Sequence, residues 1–246
     1  MLTLLSYYYS NGGTRIDAQY SILLIAALAV MVLGIIAQSR VQSTFREYSG
    51  MQAASGMTAA DIASRLLRSN GSSVQIAPTA GSLTDNYNPQ TGCVSLSQSV
   101  YSSRSVAAIA VAAHECGHVM QYESDYTAIK FRNSLLPIAN IGARFSYLLV
   151  ILGLIMGAMG HIVSLIGVAL FAFALIFQLL TLPIELDASN RALDMLTSGG
   201  YIQRGEEEAA ARKVLRAAAF TYVVAALSSA ISFLRLLSIA NSGRRN

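Results

Sequence analysis

The chain has 246 residues, of which 54% are hydrophobic and only 12% charged, with a net charge of +4 and a mean hydropathy of +0.49. A soluble domain carries about a quarter charged residues, so this composition excludes an ordinary soluble enzyme and points to a membrane protein. The basic balance calls for no nucleic acid, because Trp is absent, Arg far outnumbers Lys and the cations are spread along the chain.

Residues 1–19 are short and mixed, with Tyr7-Tyr8-Tyr9 as an interfacial anchor and Asn11-Gly12-Gly13 as a turn signal. Met1–Ser10 lacks a basic n-region, so the first apolar run is expected to stay as an anchor rather than be cleaved. Residues 20–37 carry no charge and are long enough to span a bilayer. Arg40, Arg46 and Glu47 follow as a polar exit. Thr58-Ala59-Ala60-Asp61 reads as a capping box opening a small amphipathic helix with Ile62, Leu66 and Leu67 on one stripe, closed by Asn70-Gly71. Val74-Gln75-Ile76 and Val94-Ser95-Leu96 alternate between turn residues, which predicts one or two short strands, either a plain hairpin or an edge for an extended peptide.

An Ala/Val-rich run then carries His114-Glu115-Cys116-Gly117-His118. On a helix over 106–122 the two His lie one turn apart with their imidazoles on one face, the H-E-x-x-H arrangement for zinc. Glu115, rotated about a quarter turn, is placed to act on a water as general base rather than as a ligand. Paired His on a helix are often satisfied core residues, but burying two imidazoles and a carboxylate among alanines costs several kcal/mol unless something compensates them. Cys116 falls on the other face, and both it and Cys93 read as unpaired thiols.

Further apolar runs over 141–159, 162–182 and 217–237 make four spans in all. Gly160-His161 is expected to form a tight turn that leaves His161 in a loop, Pro183 to end the third span, and Glu206-Glu207-Glu208 to be a solvated helix start. The tail from Asn241 to Asn246 is expected to be disordered.

Catalytic zinc needs a third protein ligand. Two spans separate the motif from Glu185, an even number, which returns Glu185 to the membrane face of His114 and His118. Glu123, Asp125, Asp187 and Asp194 compete, and helix geometry favours Glu185. Asp187 and Arg191 stand four apart, either as a plain ion pair or as a partner orienting a zinc-bound His and a donor to a developing oxyanion.

His-Glu-Cys-Gly-His-Val-Met-Gln after Val106–Ala113, and Leu182-Pro183-Ile184-Glu185-Leu186-Asp187-Ala188-Ser189 before Arg191-Ala192-Leu193, resemble the YugP-type bacterial membrane zinc metallopeptidases. The likeness extends to Gln42-Ser43-Thr44-Phe45 and to Leu96–Tyr101. It implies a gluzincin-like membrane peptidase with His114, His118 and Glu185 on one zinc per chain and Glu115 as catalytic base. Two departures stand out: Asn86 and Asn88 where the family often has His and Asp, and Ala188-Ser189 where HtpX-like peptidases carry E-x-x-A-D.

The expected architecture is a mainly helical integral membrane protein forming a single metallopeptidase domain, with about four transmembrane helices and a small α+β zincin-like catalytic region, 38–140 and 184–216, at the membrane face. Those two stretches gather Arg40, Arg46, Lys130, Arg132, Arg191, Arg204, Arg212, Lys213 and Arg216, with Arg15 and the tail arginines opposite. The positive-inside rule then turns the active site toward the cytoplasm, in the bacterial cytoplasmic membrane. The partners expected are the lipid bilayer and a protein or peptide substrate associated with it; an accessory membrane subunit is left open. The rival reading is a non-catalytic zinc-containing membrane scaffold, against which Glu115 speaks, since a structural zinc needs no base. A transporter is weaker still, because Gln178 and Arg235 make no midplane ion path.

Overall fold

The computed structural model describes the backbone of residues 14–242 and the side chains of 20–241 except Ala158. The tyrosine anchor, the Asn11-Gly12-Gly13 turn, the side chain of Arg15 and the tail arginines lie outside the described residues. In chain order the elements are α1 (Thr14–Ser49), α2 (Ala59–Ser69), β1 (Gln75–Thr79), β2 (Asn86–Asn88), β3 (Cys93–Ser97), α3 (Gln98–Tyr101), α4 (Val106–Glu123), α5 (Thr127–Ile155), a 3-10 turn (Gly157–Met159), α6 (Gly160–Ser198) and α7 (Glu206–Ser242). The chain divides into two compact units, one of residues 1–35, 132–179 and 224–246, the other of 36–131 and 180–223.

The first unit holds most of the apolar helix length. Four helices, over Tyr20–Ser49, Thr127–Ile155, Gly160–Ser198 and Glu206–Asn241, are long and apolar enough to cross a membrane, with mean hydropathies of 2.7, 1.8, 2.6 and 1.9 in their most apolar windows. Large side chains such as Ile22, Ile25, Ile151 and Ile155 stand exposed on them, the distribution expected where lipid rather than water is the neighbour. Helix contacts within this unit run through small residues. A Cβ on Gly142 would meet Leu170 O at 2.1 Å, so α5 and α6 approach at backbone distance there.

The second unit is built on α4. Its Ala107, Ala108, Ala112 and Ala113 are fully buried against Ile62, Leu66 and Leu67 of α2, Val94 and Leu96 of β3, and Leu193 and Leu196 of α6. Small residues on α4 and large ones on its neighbours interdigitate. Thr58 caps α2, its Oγ1 accepting from Asp61 N at 3.2 Å, and Gly71 supplies the left-handed residue (φ 79°) that ends it. The sheet has the order β1-β3-β2. β1 runs parallel to β3 with Gln75 opposite Cys93 and Thr79 opposite Ser97, while β2 pairs antiparallel, Asn86 opposite Ser95 and Asn88 opposite Cys93. Pro78 is tolerated because β1 is an edge.

Several expectations are revised. One or two short strands are expected, as a hairpin or as an edge for a peptide, whereas the described residues form three: Gln75–Thr79, beginning just after Val74, runs parallel to Cys93–Ser97, and β2 supplies an antiparallel edge. The polar exit after residue 37 is a continuation of α1 to Ser49, there being neither Pro nor Gly to stop it. The second span starts at Thr127 and runs through Pro137. His161 lies in the first turn of α6, its Nδ1 3.2 Å from Ala240 O, rather than in a loop. Pro183 does not end the third span: α6 runs unbroken through it to Ser198.

Glu207 is no solvated surface residue. It is 9% exposed, and its two carboxylate oxygens accept from Ala54 N and Gln203 N, each at 2.8 Å. It therefore ties the loop after α1 to the start of α7 inside this unit. Glu207→Ala strands both amide donors, a loss of about 2 kcal/mol. In detergent the thermal midpoint is expected to fall by about 4–8 °C; an unchanged midpoint would show that the two amides are satisfied without it.

Candidate metal centre

Helix α4 is apolar, free of Pro and capped by Ser105, whose Oγ accepts from Ala108 N at 3.2 Å. The i, i+4 spacing puts His114 and His118 on one face. Their ring centroids lie 4.8 Å apart with planes at 82°. The residue between them along the helix, Gly117, faces α6, and a Cβ there would fall 2.4 Å from the backbone oxygen of Ala188. Only glycine permits that approach. One turn before Ala188, the approach brings in Glu185, which is 5% exposed. Its Oε2 lies 3.2 Å from His114 Nε2 and 3.5 Å from His118 Nε2.

The donor atoms of His114, His118 and Glu185 all lie within 4.8 Å of one another. Zinc ligands at 2.0–2.2 Å in a tetrahedral arrangement stand roughly 3.3–3.5 Å apart, the separation seen from Glu185 to either imidazole. Two imidazoles and one carboxylate form a donor set suited to zinc, so the residues present fit the ion that the sequence motif calls for.

The surroundings favour positive charge at the centre of this cluster. Burial pushes the Glu115 carboxyl above its ordinary range; the two imidazoles pull it back, while Asp85 and Glu185 push it further up. Burial by itself would lower the His118 imidazole, but the hydrogen bond and charge of Glu185, with Glu115 and Gln121 acting in the same sense, hold it above its ordinary value. Asp85 is raised by burial against the opposing hydrogen bonds of Ser97, whose N and Oγ donate to its carboxylate at 2.8 and 3.1 Å. Burial also pushes the Cys116 thiol up. This cysteine is free and fully buried, its Sγ 3.7 Å from Ala63 O on α2.

Both imidazoles are held from behind. His114 Nδ1 lies 3.2 Å from Ser189 Oγ, and His118 Nδ1 lies 2.9 Å from Gln121 Oε1. Sequence reading singled out neither partner, although both are reachable from spacing: Gln121 is three residues beyond His118 and Ser189 four beyond Glu185, each on the inward face of its helix. Of the other sequence candidates, Asp187 joins Gln121 rather than an imidazole, its Oδ2 accepting from Gln121 Nε2 at 2.8 Å and from Arg191 Nε at 2.7 Å. Arg191 thus spends its Nε on Asp187 and lies over the Tyr126 ring, 5.9 Å from the centroid, where it lines a cleft of ≈ 390 Å³ with Asn70, Met120, Glu123 and Asp194. Glu123 accepts from Ser72 Oγ at 2.7 Å and Asp125 pairs with Lys130 at 2.7 Å, so both are turned to other partners.

Residues 22–241 match the sequence model of the family described as "Putative neutral zinc metallopeptidase". The chain is 42% identical over 218 residues to "Putative membrane protease YugP" of Bacillus subtilis (strain 168), an alignment covering 88% of this chain and 96% of that protein. No solved structure matches.

Because the donors meet only where α4 and α6 touch, Gly117→Ala is expected to part them. Zinc retained by the purified protein, measured by elemental analysis, should fall at least tenfold. Gly34→Ala serves as control, since a Cβ there meets nothing nearer than Val224 Cγ1 at 3.9 Å. Equal zinc in the two variants would mean that the helix contact does not set the donor geometry.

Proposed function

Because this chain belongs to the family described as "Putative neutral zinc metallopeptidase", we propose that it is a zinc-dependent membrane endopeptidase in which His114, His118 and Glu185 hold one zinc and Glu115 is the general base. The observation that carries this reading is the convergence of the three donor atoms within 4.8 Å of one another directly beside a buried carboxylate, Glu115, that is not one of them.

Zinc bound there would supply Lewis acidity, acidifying a water and polarising the scissile carbonyl. Glu115 follows His114 in the chain and is not among the three converging donors, so its carboxylate is left to take the proton from the attacking water. Its raised proton affinity suits the return of that proton to the leaving amine. Glu185 contributes a negative charge and stays between the imidazoles. Ser189 and Gln121 keep the two rings from turning. Arg191 gives its Nε to Asp187, and its terminal nitrogens are the candidate donors to a developing oxyanion.

The substrates are proteins or peptides at the membrane, an inference from the apolar stretch and Glu185 sharing the single helix α6. The active site faces the cytoplasm, as the concentration of cations in 38–140 and 184–216 supports. A protease-cleavable tag inserted in the turn between Gly199 and Gly205 should be cut in inverted membrane vesicles and protected in intact spheroplasts. The opposite pattern would reverse the orientation.

For the chemistry, the decisive comparison is wild type against Glu115→Gln and His118→Ala, assayed in detergent with casein or a quenched peptide. Glu115→Gln should keep its zinc and lose cleavage by about 10²–10⁴-fold, whereas His118→Ala should lose both. Full cleavage by Glu115→Gln would exclude a general base at this position and overturn the proposed mechanism.

A further inference from the structure

The two imidazoles are held by partners of different chemical character. A serine hydroxyl can donate or accept, so Ser189 does not dictate which nitrogen of His114 carries the proton. An amide whose two hydrogens are both committed leaves no such freedom. Gln121 is fully buried, and its Nε2 donates one hydrogen to Ile184 O and the other to Asp187 Oδ2, each at 2.8 Å. Both acceptors are oxygens without a hydrogen to offer, so the amide cannot be reversed end for end. The atom it turns to His118 Nδ1, at 2.9 Å, is therefore the carbonyl oxygen. An amide oxygen can only accept, which puts a hydrogen on Nδ1 and makes Nε2, the nitrogen that faces Glu185, the one available to a metal.

We propose that Gln121 is a positioning residue for the metal site: its amide, oriented by Asp187 and the Ile184 carbonyl, fixes His118 in the tautomer and ring orientation that present Nε2 as a ligand. This rests on the assignment of His118 to zinc made above. The chain of contacts runs from His118 through Gln121 to Asp187, and Arg191 neutralises its far end with a 2.7 Å contact. Asp187 thus acts on an imidazole one residue removed. It neither touches the ring nor brings a full negative charge against it, and it is the amide that carries its influence across.

The arrangement has a reciprocal form that can be tested. In a Gln121→Glu variant the new carboxylate still accepts from His118 but faces the carboxylate of Asp187, and it has nothing to donate. Adding Asp187→Asn supplies the missing donor and reverses the polarity of that contact while preserving an acceptor for His118. The measurement is zinc affinity of the apo protein in detergent, by competition with a chromophoric chelator, for wild type, His118→Ala, Gln121→Met, Gln121→Glu and the Gln121→Glu/Asp187→Asn pair. Gln121→Met and Gln121→Glu should bind zinc about 10–100-fold more weakly than wild type, and the pair should return to within about threefold of it. A role confined to packing would not be restored by exchanging donor for acceptor. Wild-type affinity in Gln121→Met, or a double variant no tighter than Gln121→Glu, would overturn the proposal while leaving the zinc site standing. Should Gln121→Met fail to fold, the single and double carboxylate variants decide the matter alone. Wild type and His118→Ala binding zinc equally would remove the underlying site, and the proposal with it.

Discussion

The candidate site depends on how closely two helices can approach. His114 and His118 are one turn apart on α4 and would be placed alike on any helix, but the third donor comes from α6, far along the chain, and reaches them only because the backbones meet at Gly117 and Ala188. The two middle positions of the motif divide the packing between them. Cys116 is buried against Ala63 of α2 on one side, and Gly117 lies against α6 on the other. A small thiol and a hydrogen atom are what those two gaps accept. The residues of the motif that bear no chemistry thus set the distances among those that do, and an error of an ångström at Gly117 would pass directly into the separation of Glu185 from the imidazoles.

Such an arrangement works against the folding energetics of its surroundings. Glu115 and Glu185 are 8% and 5% exposed, beside a helix whose other inward positions are mostly Ala, Val and Ile. Carboxylates so placed lose most of their hydration, and pairing with imidazoles recovers only part of it. Helix α4 shows where the balance is made up: the stretch from Val106 to Ala113, fully buried except at Val111, precedes the motif, and its packing against Ile62, Leu66 and Leu67 contributes about 1.5–3 kcal/mol for each of those large side chains. An apolar half of the helix anchors the half that carries charge.

Much of this was legible in the sequence because it was local or topological. The i, i+4 spacing places His114 and His118, the Thr58 box places a helix start, and counting apolar runs carries the chain back to the membrane face expected for Glu185. What escaped depended on contacts between distant segments. Glu207 sits in an acidic triplet that looks wet, yet two amides from Gln203 and Ala54 claim its carboxylate. Pro183 looks like a terminator because it lacks an N–H. In a long apolar helix, however, the local loss of one hydrogen bond is outweighed by the continuous ladder on either side, and Glu185 is an interior helix residue rather than one near an N-terminus. β2 is three residues long and rich in Asn, which no strand propensity would select; its pairing with β3 makes it a strand.

The position of Ser189 bears on how the site limits its own negative charge. In the pattern E-x-x-A-D an aspartate would stand there, within reach of His114, and would join Glu115 and Glu185 as a third carboxylate about the same pair of imidazoles, with Asp85 acting on Glu115 besides. Each added carboxylate raises the proton affinity of the others and strengthens the competition of protons with a metal for the imidazoles. Here a neutral hydroxyl holds His114, and the remaining carboxylate of this stretch, Asp187, is moved two residues back, insulated by the Gln121 amide and paired with Arg191. Orientation of the imidazoles is thereby separated from charge. Glu185 brings its negative charge directly against both imidazoles, and Glu115 stands beside it as a buried carboxyl whose proton affinity is raised by that burial.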